Sequence, residues 1–158
     1  MVAIRAYRES DRAWAEPLLD EQLAGQLQAR RGELLDVLAL PGLVAEQGGR
    51  PVGLLTYRRD SDECELAVLI AIEQRGGVGT ALVDALKRQV ADCRRIWVVT
   101  TNDNLDALRF YQRRGFVLSE LRPRAVDDAR RRLKPGIGAV GEFGIPLRDE
   151  LELERRLG

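Results

Sequence analysis

Gln74-Arg75-Gly76-Gly77-Val78-Gly79-Thr80 joins an apolar run, Leu66 to Ile72, to a helical stripe at Val78, Leu82, Ala85, Leu86 and Val90. A glycine-rich turn between a strand and an amphipathic helix lets the backbone approach a ligand closely. The first turn of such a helix presents N–H groups that have no intrahelical acceptor, with a dipole that favours anionic oxygens. The stretch therefore reads as a pyrophosphate cradle. The two best-known phosphate loops do not fit it: Gly79 is followed by Thr80 and Ala81 rather than by Lys and a hydroxyl residue, and the three-glycine dinucleotide spacing is not met. The spacing present is Gln-x-x-Gly-x-Gly, at Gln74, Gly77 and Gly79.

Working outward, the run Leu66-Ala67-Val68-Leu69-Ile70-Ala71-Ile72 is apolar without alternation, as expected for a central strand covered on both faces. After the helix, which ends near Cys93, Ile96 to Thr101 reads as a second buried strand, giving a strand–helix–strand unit whose strands are parallel. Asn102-Asp103-Asn104 is a cap-rich turn, Leu105 to Arg114 a short helix closed by Gly115, and Phe116-Val117-Leu118 the start of a sixth strand. The last strand is predicted from the shared parity of Ile145, Leu147, Leu151 and Leu153. Between these two lies a long connection, residues 122–146, with a basic helical piece around Ala129 to Leu133. On the N-terminal side, Ala3 to Arg8 reads as a strand and Ser10-Asp11 as a helix start, with Pro17 in the first turn of a following helix. Leu19, Leu23, Leu27, Leu34, Leu35 and Leu38 predict one or two helices, broken near Gly32, that run to Pro41-Gly42. A hairpin turning at Gln47-Gly48-Gly49-Arg50 follows.

With 158 residues, 45% hydrophobic and 32% charged, the chain predicts one soluble domain spanning 1–158. Equal numbers of basic and acidic residues, 25 of each, give no overall field that would recruit nucleic acid or an anionic membrane. No apolar run approaches the roughly 20 residues that span a bilayer, and Met1 to Tyr7 lacks the apolar block of a signal peptide, so a cytoplasmic location is expected. Cys64 and Cys93 read as two reduced, buried thiols. The absence of histidine removes Ser-His and Cys-His triads and His-ligated metal sites, which leaves carboxylates, Tyr, Lys, Cys or water to move protons. No metal is expected.

A second pattern, Asn104-x-x-Ala107-x-x-Phe110-Tyr111-x-x-x-Gly115-Phe116, follows the glycine loop at ordinary spacing, and together the two resemble the signatures of the GNAT superfamily of N-acetyltransferases. The resemblance covers Cys64 to Phe116. It implies an α/β fold, a mixed, mostly antiparallel seven-stranded sheet with a splayed parallel central strand pair and helices on both faces. It also implies acetyl-CoA as co-substrate. Edge groups near Leu69 and Ile70 would pair with the pantetheine amides. The pyrophosphate would meet Gln74 and the amides of Arg75, Gly76, Gly77, Val78, Gly79 and Thr80. Asn104 would bond near the pantetheine arm, and the helix face carrying Ala107, Phe110, Tyr111 and Arg114 would meet the cofactor, with the Tyr111 phenol as general acid to the thiolate. One departure is Ala71, where the family often has Pro.

The acceptor amine needs a base, and Glu65, then Glu63, are the candidates: alternation puts both on one face of the central strand, and family members frequently use a glutamate there. The acceptor itself, a small-molecule or peptide amine, is not specified by the residues. The excess of arginine from Arg122 to Lys134 either attracts an acidic acceptor or is a solvated basic helix. A non-catalytic acyl-CoA binding or sensing module is the alternative function, and a homodimer through the last strands is a family-level expectation.

Overall fold

Residues Leu66 to Ala71 do occupy the sheet interior, as the inner part of a strand that runs from Glu63 to Ala71. The computed structural model describes residues 1–72 and 76–158. Its strands are β1 (Ala3–Ala6), β2 (Leu27–Arg30), β3 (Glu33–Asp36), β4 (Gly42–Gln47), β5 (Arg50–Asp60), β6 (Glu63–Ala71), β7 (Arg95–Thr101), β8 (Val117–Arg122) and β9 (Glu150–Arg156). Its α-helices are α1 (Arg12–Leu23), α2 (Val78–Gln89), α3 (Leu105–Arg113) and α4 (Ala125–Arg132). The main sheet has seven strands in the order β1-β4-β5-β6-β7-β9-β8, mostly antiparallel with β6 and β7 parallel, while β2 and β3 pair separately. No helix among the described residues is long and apolar enough to cross a membrane.

The described chain divides into two compact units, Met1–Gln26 with Asp36–Ile96 and Leu157–Gly158, and Leu27–Leu35 with Trp97–Arg156. In the first, β4 and β5 turn at Gly48 and Gly49, whose φ values of 60° and 76° match the hairpin turn that two glycines favour. α2 lies close on β5 because Gly53 has no side chain: a Cβ there would stand 2.5 Å from Val78 Cγ1 and 3.0 Å from Leu82 Cδ1. Tyr57 and Arg59 share that face, Tyr57 Oη accepting from Gln89 Nε2 at 2.9 Å and Arg59 pairing with Asp92. On the opposite face, Tyr7 sits beside Gly42 and Thr56 and donates its hydroxyl to Leu38 O, which also accepts from Arg12 of α1. Thus α1 and the short turn Val37–Ala39 cover the side that α2 leaves open.

Asp11 anchors the start of α1. Its buried carboxylate accepts from both terminal nitrogens of Arg5 (2.8 and 2.7 Å), from Arg8 N (2.7 Å) and from Trp14 Nε1 (2.9 Å). The Arg5 guanidinium holds this carboxyl well below the usual carboxylate range, against the opposing effect of burial. A depressed folded-state pKa contributes stability above the unfolded value near 4, and that contribution is lost as pH falls below it. Asp11→Asn should therefore cost roughly 3 kcal/mol at pH 7, the low end for a broken buried pair because the Arg5 side chain is partly exposed. The gap to wild type should narrow in urea melts at pH 3, and an equal gap at both pH values would refute the assignment.

The N-terminal helical prediction holds only in part. α1 stops at Ala24 and Gly25, both at positive φ (58° and 103°), with Gly25 N–H bonded to Leu19 O at 3.0 Å. Residues predicted to continue the helix instead form the hairpin β2–β3, turning at Arg31 and Gly32 with φ of 52° and 78°. A leucine repeat of four satisfies strand parity as well as a helix face, and the two left-handed turns decide between them. Pro17 lies inside α1 rather than at the start of another helix.

The second unit holds β8, β9, α3, α4, the β2–β3 hairpin and most of β7. β9 begins at Glu150, not near Ile145, because residues 139–147 fold back on themselves: Val140 bridges Pro146, and Leu147 N bonds Ala139 O at 3.0 Å. Arg130 of α4 staples this connection, donating to Ile137 O, Gly138 O and Leu147 O and pairing with Asp127. Arg122 lies among Glu120, Glu150 and Glu152, Lys134 donates to Leu27 O, and Arg131 and Arg132 pair with Asp128. Arg122, Arg130 and Lys134 thus serve the fold, while Arg131 and Arg132 are exposed side chains paired along α4.

Candidate active site

In the first unit the turn before α2 is shaped by glycine. Gly76 and Gly77 take φ of 96° and 75°, a Cβ built on either would meet nothing within 4 Å, and both are exposed. α2 begins immediately after them. Ala81 N–H bonds Gly77 O at 2.9 Å, and the amides of Val78 and Gly79 lie ahead of it in the first turn. The first turn carries no acidic side chain and the last carries Lys87 and Arg88, an arrangement that complements the helix dipole and leaves the start receptive to an anion. Gln74 and Arg75 lie outside the described residues.

β6 contains an irregularity that the sequence did not reveal. Thr56 of β5 pairs with Val68, but Tyr57 pairs with Leu66, which leaves Ala67 as an extra residue. That bulge reverses side-chain parity. Leu69 and Ala71 stand opposite the α2-facing residues Leu55 and Gly53, whereas Val68 and Ile70 stand opposite Thr56 and Leu54 on the other side. Beyond Ala67, Glu65 is opposite Arg58 and Glu63 opposite Asp60, on the Thr56 side. In a regular strand both glutamates would face α2.

The two carboxylates have different surroundings. Glu63 is bonded to Arg95 Nε at 2.6 Å and to Arg94, and the Arg95 hydrogen bond holds its carboxyl below the ordinary value. Glu65 is 3% exposed and stands 3.4 Å from Arg58 Nη2. Cys64 between them turns to the α2 side, where burial pushes its thiol up to about 12, and both cysteines are free and buried.

In the second unit, the three polar residues after β7 each tie down a different neighbour. Asn102 accepts from Arg148 N and Asp149 N and donates to Pro146 O. Buried Asp103 accepts from Glu142 N at 2.8 Å and Thr101 Oγ1 at 2.5 Å, against Gly141, where a side chain would collide with its carboxylate. Asn104 caps α3, its oxygen accepting from Ala107 N at 3.1 Å. Tyr111 is 6% exposed, edge-on to Phe110 and Phe116 with ring centroids 5.2 Å away in each case, and burial raises its phenol pKa well above the ordinary value. Arg114 stacks 3.7 Å from the Phe110 ring centroid and donates to Phe110 O.

Residues 4–116 match the model of the acetyltransferase (GNAT) family. The protein YdhI of Bacillus subtilis (strain 168) is 42% identical over 115 residues, 71% of each chain. An IAA acetyltransferase from Bacillus cereus ATCC 14579 has a similar fold, with a TM-score of 0.74 and 20% identity over 99% of this chain and 100% of that one. A GNAT family acetyltransferase from Elizabethkingia anophelis, solved with acetyl-CoA bound, gives a TM-score of 0.70 and 17% identity over 99% and 98% of the two chains.

Proposed function

Because this chain belongs to the GNAT acetyltransferase family, we propose that it is an N-acetyltransferase that moves an acetyl group directly from acetyl-CoA to a primary amine on a small molecule or peptide. The observation that carries the reading is the open glycine turn at Gly76 and Gly77 leading into the non-acidic first turn of α2. In this reading the pyrophosphate meets Gln74 and the amides from Arg75 to Thr80, and Leu69 and Ile70 offer backbone groups to the pantetheine. Asn104, whose oxygen is engaged as the α3 cap, contributes its amide nitrogen. Ala107, Phe110 and Arg114 line the cofactor. Both units act as one acetyltransferase domain over 1–158, in the cytoplasm. A homodimer forms through the sheet edge at β8, where Val117, Leu118 and Leu121 are exposed.

Chemically, the acceptor arrives as an ammonium and gives one proton to Glu65. Its nitrogen then forms the N–C bond at the thioester carbonyl, whose oxyanion is held by a β6 N–H near Leu69 or Ile70. Collapse breaks the C–S bond, the nitrogen loses its second proton, and the thiolate takes one from Tyr111, which is then reprotonated. The sum is amide, free CoA thiol and one released proton. Glu65 is preferred over Glu63 as base because it lies nearer the buried part of β6.

A thiol-release assay with acetyl-CoA and a panel of polyamines, amino acids, aminoglycosides and peptide N-termini tests turnover, while thermal melts with CoA test binding. CoA at 100 times its Kd should stabilise the fold by about 2.7 kcal/mol, and at least one amine should release thiol. Stabilisation without turnover would favour the sensing module; neither result would end the reading.

A further inference from the structure

The hairpin β2–β3 turns on two residues, Arg31 and Gly32, both left-handed with φ of 52° and 78°. A two-residue turn of that kind favours Asn-Gly, because asparagine tolerates a left-handed backbone that arginine enters at a cost. The arginine therefore calls for a purpose beyond the turn. Its backbone N–H is held between the two oxygens of buried Glu150, 3.2 Å from each, and its guanidinium stands 4.6 Å over the ring of Trp97 in β7. The neighbouring arginines are matched by carboxylates: Arg30 by Glu33 at 2.6 Å, Arg122 by Glu120, Glu150 and Glu152, and Arg132 by Asp128. Among the described residues Arg31 pairs only with Glu152, at 3.9 Å, too far for a hydrogen bond, and its side chain is 44% exposed. All of these residues belong to the second unit, where Arg31 and Gly32 line a cavity of about 220 Å³.

We propose that this cavity binds a carboxylate of the acceptor, with Arg31 as the clamp, so that the amine acetylated is that of a small amino acid. This rests on the acetyltransferase reading above. A guanidinium already settled on an aromatic ring has little freedom left to lose, and its N–H fork matches the two oxygens of a carboxylate. Four of the lining side chains are arginines and three are carboxylates, Glu120, Asp128 and Glu150, so the wall itself carries an excess positive charge that an anion would neutralise. Glu152 does not compete for Arg31 at hydrogen-bond range, since it already accepts from Arg122 Nη1 at 3.2 Å. The cavity is smaller than the roughly 300–1,000 Å³ of pockets for drug-sized ligands, which favours a small acid over a peptide. β7 links it to the cofactor side: Thr101 lies four residues, about 13 Å, beyond Trp97, and Asn104 and α3 follow.

The test offers glycine, β-alanine, 4-aminobutyrate and 6-aminohexanoate, each beside its primary amide, to wild type, Arg31→Asn and Arg31→Lys with acetyl-CoA. For wild type the best acid should exceed its amide at least tenfold in kcat/KM. Arg31→Asn should raise the KM for that acid about 10–10²-fold, as expected for a lost hydrogen bond to a charged group, with kcat and the KM for the amide little changed. Arg31→Lys should recover part of the loss. Asparagine suits the turn, so the Tm of Arg31→Asn should hold or rise; Arg31→Gly, equally suited to left-handed backbone, replaces it if it does not fold. An unchanged KM in the variant would overturn the site, and a fall in Tm beside it would make Arg31 a structural partner of Glu152. An active wild type that ignores the acids, or takes their amides as readily, would also overturn the site alone. A wild type that acetylates no amine in this set or the wider panel would overturn the acetyltransferase reading, and this inference with it.

Discussion

Glu65→Gln should lower kcat/KM for a basic amine by about 10²–10⁴-fold, or roughly 3–5 kcal/mol of transition-state stabilisation. The magnitude follows from the acceptor. An alkyl ammonium with a pKa near 10.4 is neutral in only about one molecule in 2,500 at pH 7, and a positioned base recovers much of that factor. The amide variant keeps the shape of a side chain that is 3% exposed and paired with Arg58, whose own side chain is 37% exposed and can regain water. Loss of fold should therefore be small, which circular dichroism and Tm can check. The deficit should shrink as pH rises toward the amine pKa, where the neutral nucleophile becomes abundant without help. Glu63→Gln, by contrast, removes a partner of Arg94 and Arg95 and should affect Tm more than turnover. If the two variants lose activity equally, or if the Glu65→Gln deficit does not change with pH, the base lies elsewhere.

The sequence disclosed the parts of the fold that local chemistry determines. Gly76 and Gly77 require left-handed backbone, Asn104 supplies a cap, and the unbroken apolar run of β6 needs cover on both faces; all three are where the residues imply. What stayed hidden depends on long-range pairing. The Ala67 bulge is visible only when β5 is laid beside β6, since Ala, Val and Leu there carry no mark of an extra residue. The β2–β3 hairpin was obscured because its leucines fit a helix, although Gly25 and Arg31-Gly32 were signals of caps and turns. The Arg31 side chain could not be singled out at all: an arginine in a turn is ordinary until its guanidinium is found over Trp97. Charge was the least legible, since the arginines from Arg122 to Lys134 resemble a binding surface until their carboxylate and carbonyl partners are seen.

Tyr111→Phe should lower kcat by about 10–10²-fold while leaving CoA binding within about twofold. The effect is smaller than for Glu65 because a thiolate whose conjugate thiol has a pKa near 8.5 leaves readily, so general acid assistance has less to supply. The ring should stay in place. Its edge-on contacts with Phe110 and Phe116 involve the aromatic body, and the turn beyond α3 is held by Tyr111 O, which accepts from Arg114 N and Phe116 N. The pH profile separates a proton donor from a packed aromatic. Burial disfavours the phenolate, so the folded-state pKa stands above the ordinary value near 10 and the phenol remains protonated throughout the working range. Wild-type kcat should then show no fall assignable to Tyr111 between pH 7 and 10. The variant should lose activity by a constant factor across that window, and acyl donors with a better leaving thiol should suffer less. Equal kcat for both proteins with a fully basic amine would leave Tyr111 a core aromatic and pass the leaving-group proton to water.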